Sequence, residues 1–372
     1  VIYLDNAATS PLTPKAMDAM TQVMTSHLAN PSSIHAYGRK AAQQLRLDRQ
    51  LVANLFQTDP NRIVFTSGGT ESNNSAIKGY ALRHQDKGKH IITSQIEHHA
   101  VLHVMAFLEQ RFGFEVTYLK PQNGTITIQQ VKEALREDTI LVSLMYANNE
   151  TGALLPISEI GNLLANHQAA FHVDAVQAVG KLKIAPQELG IDLLSASAHK
   201  FHGPKGVGIL YQAPHILLDS LLHGGDQEEK RRASTENLIG IAGMAAALEE
   251  AYQNCDKNYH YIKELREHFF NALEGISYYS NSAEVFLPHI INIGFPGANN
   301  GILLTRLDLA GFAISTGSAC TAGTVEPSHV LQAIYGEDSP RLQESIRISL
   351  SEFNTKEELS QLAQELRHIL GD

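Results

Sequence analysis

Through the first two-thirds of the chain, two apolar textures alternate. Short, fully apolar runs cover residues 63–65, 90–93, 114–119, 139–145, 169–173, 193–197 and 207–211. They are β-branched or aromatic in character and do not alternate with polar positions, which is the pattern of buried strands in a largely parallel sheet. Between most of them apolar residues recur at helical spacing, over 71–83, 98–111, 128–136 and 157–166. Thr13 followed by Pro14 reads as an N-cap and first-turn proline. The final third has a different texture. One long helix is expected from about 237 to 274, then runs at 289–293, 313–315 and 345–350, then a closing helix opened by the capping box of Thr355 and Glu358. The expected fold class is α/β. A large αβα domain over 13–255 carries a mainly parallel seven-stranded sheet, and a smaller α+β domain takes residues 1–12 and 256–372.

Composition narrows the class of protein. With 372 residues, 43% hydrophobic and 18% charged, the chain can bury a sizeable core. Lys+Arg 29 against Asp+Glu 39 gives a net charge of −10, and no basic block interrupts it, so direct binding of nucleic acid is not expected. No stretch approaches the ~18 apolar residues that span a bilayer, and the residues before Ala16 lack a signal-peptide core. Two cysteines, Cys255 and Cys320, cannot make a disulfide framework and fit a reducing cytoplasm.

Ligands of open α/β sheets bind beyond the carboxyl ends of the strands. Five polar groups fall just after a predicted strand: the run Thr66 to Glu71, Glu97-His98-His99, Asn148-Asn149-Glu150, Asp174 with Gln177, and Ser197-Ala198-His199-Lys200. Taken singly, each has a plain reading. The Gly68-Gly69 turn resembles an ordinary strand-to-helix connection, Lys200 a lysine reaching solvent, Asp174 a turn residue and Arg347 a surface arginine. Together they put an anion-binding helix start, an amine that can form a Schiff base and a buried carboxylate suited to a pyridinium nitrogen on one rim. Arg347 alternates with apolar neighbours and can clamp a carboxylate. Arg231 and Arg232 read as solvated. Cys320 lies in a loop of small residues that suits a reactive thiol, whereas Cys255 reads as a packed one. Of the 18 histidines, His99 and His103 are four apart, but there is no HExxH and no paired-cysteine spacing, so no metal site is expected. A hydrolytic pair of Cys320 and His329 would leave Lys200 and Asp174 idle.

With these residues in this order, the chain resembles the pyridoxal-phosphate-dependent cysteine desulfurases, the NifS/IscS-like group of class V aminotransferases with fold type I. The likeness covers Tyr3-Leu4-Asp5-Asn6-Ala7-Ala8-Thr9, Asn30-Pro31-Ser32-Ser33, Thr66 to Asn73, Glu97-His98, Asn148-Asn149-Glu150, His172-Val173-Asp174-Ala175, His199-Lys200, Gly203-Pro204-Lys205-Gly206 and Gly317-Ser318-Ala319-Cys320. The resemblance implies that pyridoxal 5'-phosphate is carried on Lys200, which also moves the Cα proton. It implies that Asp174 pairs with the ring nitrogen, Gln177 reaches the ring oxygen and His98 stacks on the ring. Thr70, Ser197 and His199 hold the phosphate, completed by Thr235 from the partner subunit of a homodimer. Asn149 and Arg347 grip the carboxylate of L-cysteine, and Asn30 lines the same pocket. Cys320 accepts the sulfur, leaving alanine, and passes it to an acceptor protein, either an iron–sulfur scaffold or a tRNA-thiolation enzyme.

Three positions depart from the family pattern. Thr316 stands where serine is commoner, with its hydroxyl kept, and Asp226 and Ala233 replace commoner glycines near Thr235. The chain ends at Asp372, soon after the closing helix, where housekeeping members carry a longer scaffold-docking tail; this weakens the expectation of general iron–sulfur assembly and leaves a dedicated sulfur donor, for example to tRNA thiolation, open. On the same scaffold the alternatives are a selenocysteine lyase and a class V aminotransferase, and outside catalysis a binding protein that kept the fold.

Overall fold

The structure is a computed structural model that describes residues 1–26, 29–317 and 327–371. A two-residue strand β1 (Ile2–Tyr3) opens the chain. Then β2 (Ile63–Thr66), β3 (His90–Ser94), β4 (Glu115–Leu119), β5 (Thr139–Met145), β6 (Ala170–Asp174), β7 (Leu193–Ser197) and β8 (Gly208–Gln212) form one sheet in the order β2-β8-β7-β6-β5-β3-β4. All but β4 are buried along their whole length, which accounts for their mainly apolar character, and polar residues inside them such as His90, Ser143, His172 and Ser195 are hydrogen-bonded to one another or to a neighbouring strand. Strands β3 to β7 pair in parallel, while β8 is antiparallel to both β2 and β7. That double reversal leaves β2 pointing the same way as β7, so the residues after β2, β3, β5, β6 and β7 all reach one rim.

Helices α1 (Pro14–Ser26), α2 (Ala36–Leu55), α3 (Gly69–Arg83), α4 (His99–Phe112), α5 (Ile128–Ala134) and α6 (Ile157–Leu164) precede α7 (Leu238–Gln253) and α8 (Cys255–Ala272). Thr13 Oγ1 accepts the Ala16 amide at 3.2 Å, as an N-cap does. Helix α2 has no clear signature in the sequence. Its inner stripe runs through Gly38, Ala41, Leu45, Asp48 and Val52, so a glycine and a buried acid interrupt the apolar period. Burial lifts the Asp48 carboxyl to about 6, with the Gln44 amide bonded to it at 2.9 Å.

The single helix expected over 237–274 is two. It breaks at Asn254, whose amide returns to the Glu250 carbonyl at 3.1 Å. The break separates two apolar cores. Leu238, Ile241, Met244 and Leu248 of α7 join the large core around the seven-stranded sheet. Ile262, Leu265 and Phe269 of α8 join Leu4, Ile291, Ile348, Leu359 and Leu362 in a second core. That core backs an antiparallel sheet of β9 (Tyr279–Ser280), β10 (Ile290–Gly294) and β12 (Ser345–Ser349), while β11 (Phe312–Ala313) pairs in parallel with β1. The closing helix Lys356–Leu370 carries the expected reciprocal cap between Thr355 and Glu358. Among the described residues, no helix is long and apolar enough to cross a membrane.

Candidate active site

A cavity of about 190 Å³ opens at the carboxyl rim, lined by Thr70, His98, Asn149, Asp174, Gln177, Ser197, His199, Lys200 and Arg347, together with Ala7, Ala8, Asn73, Met145 and Val176. Most of the polar side chains come from a strand end or the turn after it, while Thr70 and Asn73 come from the first turns of α3 and Arg347 from the middle of β12. Asp174 is the last residue of β6 and Ser197 the last of β7, while Lys200 closes the single 3-10 turn that follows. Helix α3 starts at Gly69 with no side-chain cap, so its first amides face the cavity as an anion-binding end. A side chain at residue 69 would meet Val176 Cγ2 at 2.7 Å, which is why the turn can press this close only with glycine.

The charges are arranged around the cavity floor. The Lys200 amine donates to the carbonyls of Ala7 and Ala8, at 2.5 and 2.9 Å. The Gln177 amide shares the Ala7 carbonyl at 3.0 Å. Asp174 accepts the Val176 amide at 3.0 Å and Asn73 Nδ2 at 2.7 Å. Burial raises its carboxyl, and those two hydrogen bonds and the Lys200 charge pull against that rise. A ring cation beside Asp174 would pull in the same direction. His98 caps α4, its Nδ1 accepting the Ala100 amide at 3.0 Å. Burial, then the Lys200 charge and the neighbouring imidazoles, hold His98 down at about 4, so it presents a neutral ring at pH 7. His199 is lowered to about 4 for similar reasons, and its Nδ1 lies 3.2 Å from Thr9 Oγ1.

Arg347 is 1% exposed, not a surface residue. Its Nη1 donates to the Asn149 carbonyl at 2.9 Å and its Nη2 to Asp5 Oδ1 at 3.0 Å. Arg347 Nε, Asn149 Oδ1 and Asn73 Oδ1 are buried without a hydrogen-bond partner among the described residues. Unsatisfied polar atoms converging on one cavity are what a polar ligand would complete. The donors, the uncapped helix, the buried carboxylate and the amine together fit a phosphorylated pyridine aldehyde.

The structure does not bring every expected residue here. Thr235 and Asn30 are exposed and line no part of the cavity; Asn30 instead accepts the Ser32 amide at 2.8 Å. Cys320 lies outside the described residues. Arg231 and Arg232 are not merely solvated. Arg232 pairs with Glu71 at 2.8 Å, and Arg231 donates to the Asn61 carbonyl at 2.7 Å and pairs with Glu229 at 3.5 Å. Asn73 escaped notice because only its register on α3, one turn after Thr70, aims it at Asp174. Among the described residues no cluster suits a metal ion.

The aminotransferase class-V family model matches residues 2–362. The putative cysteine desulfurase IscS 1 of Bacillus subtilis (strain 168) is 48% identical over 373 residues, covering 99% of this chain and 98% of that protein. Cysteine desulfurase IscS of Methanosarcina thermophila is 43% identical over 372 residues, covering 99% and 92%. Among solved structures, a NifS-like protein superposes with a TM-score of 0.93 at 34% identity, covering 99% of each chain. A structure described as SspA in complex with cysteine gives 0.85 at 37%, covering 95% and 100%.

Proposed function

This chain belongs to the aminotransferase class-V family, and from that premise we propose that it is a cysteine desulfurase, converting L-cysteine to L-alanine and storing the sulfur on Cys320. The observation that carries the reading is the convergence of Lys200, Asp174 and Arg347 on one cavity whose buried polar atoms still lack partners. Class-V enzymes use pyridoxal phosphate. When bound, it supplies an electrophilic carbon for amines and a sink for charge developed at the substrate Cα.

The residues divide the work by their chemistry. Lys200 would hold the cofactor through its amine, and the same amine is placed to move the proton at the substrate Cα. Asp174, kept in place by Asn73 and the Val176 amide, would pair with the ring nitrogen and favour its protonated form, an electrostatic contribution to the chemistry at Cα. His98 covers the ring with a neutral imidazole, and Gln177 reaches the ring oxygen. The α3 amides, Thr70, Ser197 and His199 hold the phosphate, with Thr235 supplied by the second subunit of a homodimer. Arg347 and Asn149 receive the substrate carboxylate, with Asn30 at the same pocket.

The Cys320 thiolate attacks the substrate sulfur. A sulfur–sulfur bond forms and the substrate carbon–sulfur bond breaks. Protons returned to the carbon skeleton complete alanine, and the enzyme keeps a persulfide. A cytoplasmic acceptor protein, an iron–sulfur scaffold or a tRNA-thiolation enzyme, takes that sulfur. The two cores support a division of the chain into 13–255 and a smaller unit of 1–12 with 256–372.

The test is direct. Cofactor-loaded protein incubated with L-cysteine and a thiol reductant should accumulate alanine well beyond one equivalent per site, and Cys320→Ala should abolish it. No alanine from fully loaded protein would overturn the reading in favour of a selenocysteine lyase or an aminotransferase.

A further inference from the structure

A second, small cavity of about 20 Å³, room for a single water, is lined by apolar residues such as Phe201 and Leu287 together with Lys181, His202, Cys255, His289 and Glu352. None of these groups has a part in the chemistry proposed above. The turn that carries Lys200 exposes three successive carbonyls, and each has its own donor. Ala198 O accepts the amides of Phe201 and Gly203, at 3.1 and 2.9 Å; His199 O accepts the amide and hydroxyl of Ser10, at 2.8 and 2.9 Å. Lys200 O accepts the ammonium of Lys181, a residue of the small cavity's lining.

That approach is built into the backbone. Gly180 has φ +82°, and a side chain there would meet Phe201 Cβ at 2.4 Å, so the turn bearing Lys181 can lie against the Lys200 turn only with glycine at 180. Glu352, just past β12, supplies the opposing charge. It is held by Asn258 Nδ2 at 3.0 Å and His202 Nε2 at 3.3 Å. The Cys255 thiol donates to the Lys181 carbonyl at 3.2 Å. Burial draws the Lys181 ammonium down to about 8, with Glu352 and Cys255 resisting.

We propose that Lys181 is a positioning residue for Lys200: it fixes the peptide of the amine-bearing turn and places a second positive charge beside it. The inference rests on the reading of Lys200 as the cofactor-holding lysine. The donor and the charge have separable effects. Without the donor, a buried carbonyl loses its partner and the turn can shift, which lowers kcat more than it raises KM, since the Lys200 amine moves a proton and does not hold the substrate. Without the charge, protonation of the nitrogen at Lys200 becomes easier. The other titratable groups that feel the Lys200 charge stay in place: Asp174 from β6, His98 from the cap of α4, His199 from its own turn and His289 just before β10, with Arg347 of β12 on the wall of the same cavity as Lys200.

The experiment compares pyridoxal-phosphate-loaded wild type with K181M, K181Q and K181R. It reads the pH titration of the visible band of the lysine-bound cofactor, thermal melting, and kcat and KM for L-cysteine. In K181M the titration midpoint should rise by about half a pH unit or more, and kcat should fall about tenfold with KM little changed. K181Q should recover most of kcat while keeping the raised midpoint, and K181R should restore both. A K181M protein that melts lower yet keeps the wild-type midpoint and kcat would reduce Lys181 to a structural role and overturn the proposal. If K181M does not fold, an unshifted midpoint in K181Q overturns it equally. Failure of the wild type to make alanine would refute the cysteine reading alone, because the cofactor titration still judges Lys181.

Discussion

Two polar regions of this molecule use the same side-chain types and treat them differently. In the seam of the three-stranded sheet, Asn281 Nδ2 donates to Asn292 Oδ1 at 2.7 Å and to Ser345 Oγ at 2.9 Å, and its Oδ1 accepts Arg341 at 2.7 Å. Asn292 in turn donates to the Glu150 carbonyl at 3.1 Å. In the cavity, Asn73, Asn149 and Arg347 are also buried, yet each keeps a polar atom without a partner among the described residues. Burying a polar group is costly unless it is hydrogen-bonded, so the seam reads as structure and the cavity as a surface built for something else to complete. Two histidines also differ in setting, though both have hydrogen-bond partners. His172 is bracketed by Ser143 and Ser195 at 2.8 and 3.0 Å inside the sheet, while His98 presents its ring to the cavity.

The contrast can be broken by substitution, and the largest effect is expected at Lys200. Lys200→Ala should lower alanine formation by about 10²–10⁴-fold without lowering the melting temperature, and loaded protein should no longer yield a Lys200-linked cofactor on borohydride reduction and peptide mapping. Arg347→Lys should raise KM for L-cysteine about ten- to a hundredfold through loss of the planar fork, read in steady-state kinetics. Asn281→Ala should do the reverse: it removes about 1–3 kcal/mol of stability by orphaning its seam partners, seen in denaturant unfolding, and leaves KM unchanged. If Asn281→Ala moves KM and Arg347→Lys only stability, the division between the regions fails.

Smaller effects sharpen it. Burial holds His172 down to about 3, below its unfolded value near 6.5. The unfolded chain therefore binds this proton first as the pH falls, so stability is lost on going down from pH 7 toward the folded value. His172→Gln should remove up to about 2 kcal/mol of the loss between pH 7 and pH 5, measured as a flatter acid limb of melting temperature. The least effect is expected at the closing helix, where Thr355→Ala should cost about 1 kcal/mol through its cap and leave kinetics untouched.

Strand by strand, the large sheet was legible because its runs are short, rich in β-branched and aromatic residues and bounded by turn residues, whereas the comparably apolar run from Leu238 to Leu248 is longer and rich in alanine and glycine, as a buried helix is. The strand ends were legible for the same reason: a polar cluster directly after such a run has nowhere to go but the rim. Helix α2 was not, since Gly38 and Asp48 occupy its inner stripe and only packing against α7 makes that stripe tolerable. The break at Asn254 was hidden because both halves are helical, and what separates them is which core each half faces. Asn73 and Lys181 carry no local mark either. Both act through a contact with a residue far away in sequence, Asp174 for one and the Lys200 carbonyl for the other.

What the amino-acid order determined by itself was therefore periodic or local: strands, most helices, the Thr355 cap, and the kinds of group delivered to one rim. Only the tertiary structure decided the rest. The antiparallel β8 turns β2 to face the same rim as β7, and the second core folds Arg347 back over a cavity whose floor comes from the first. These outcomes depend on contacts across hundreds of residues, whose energies come from burial and desolvation in the assembled fold and leave no trace in any short stretch of chain.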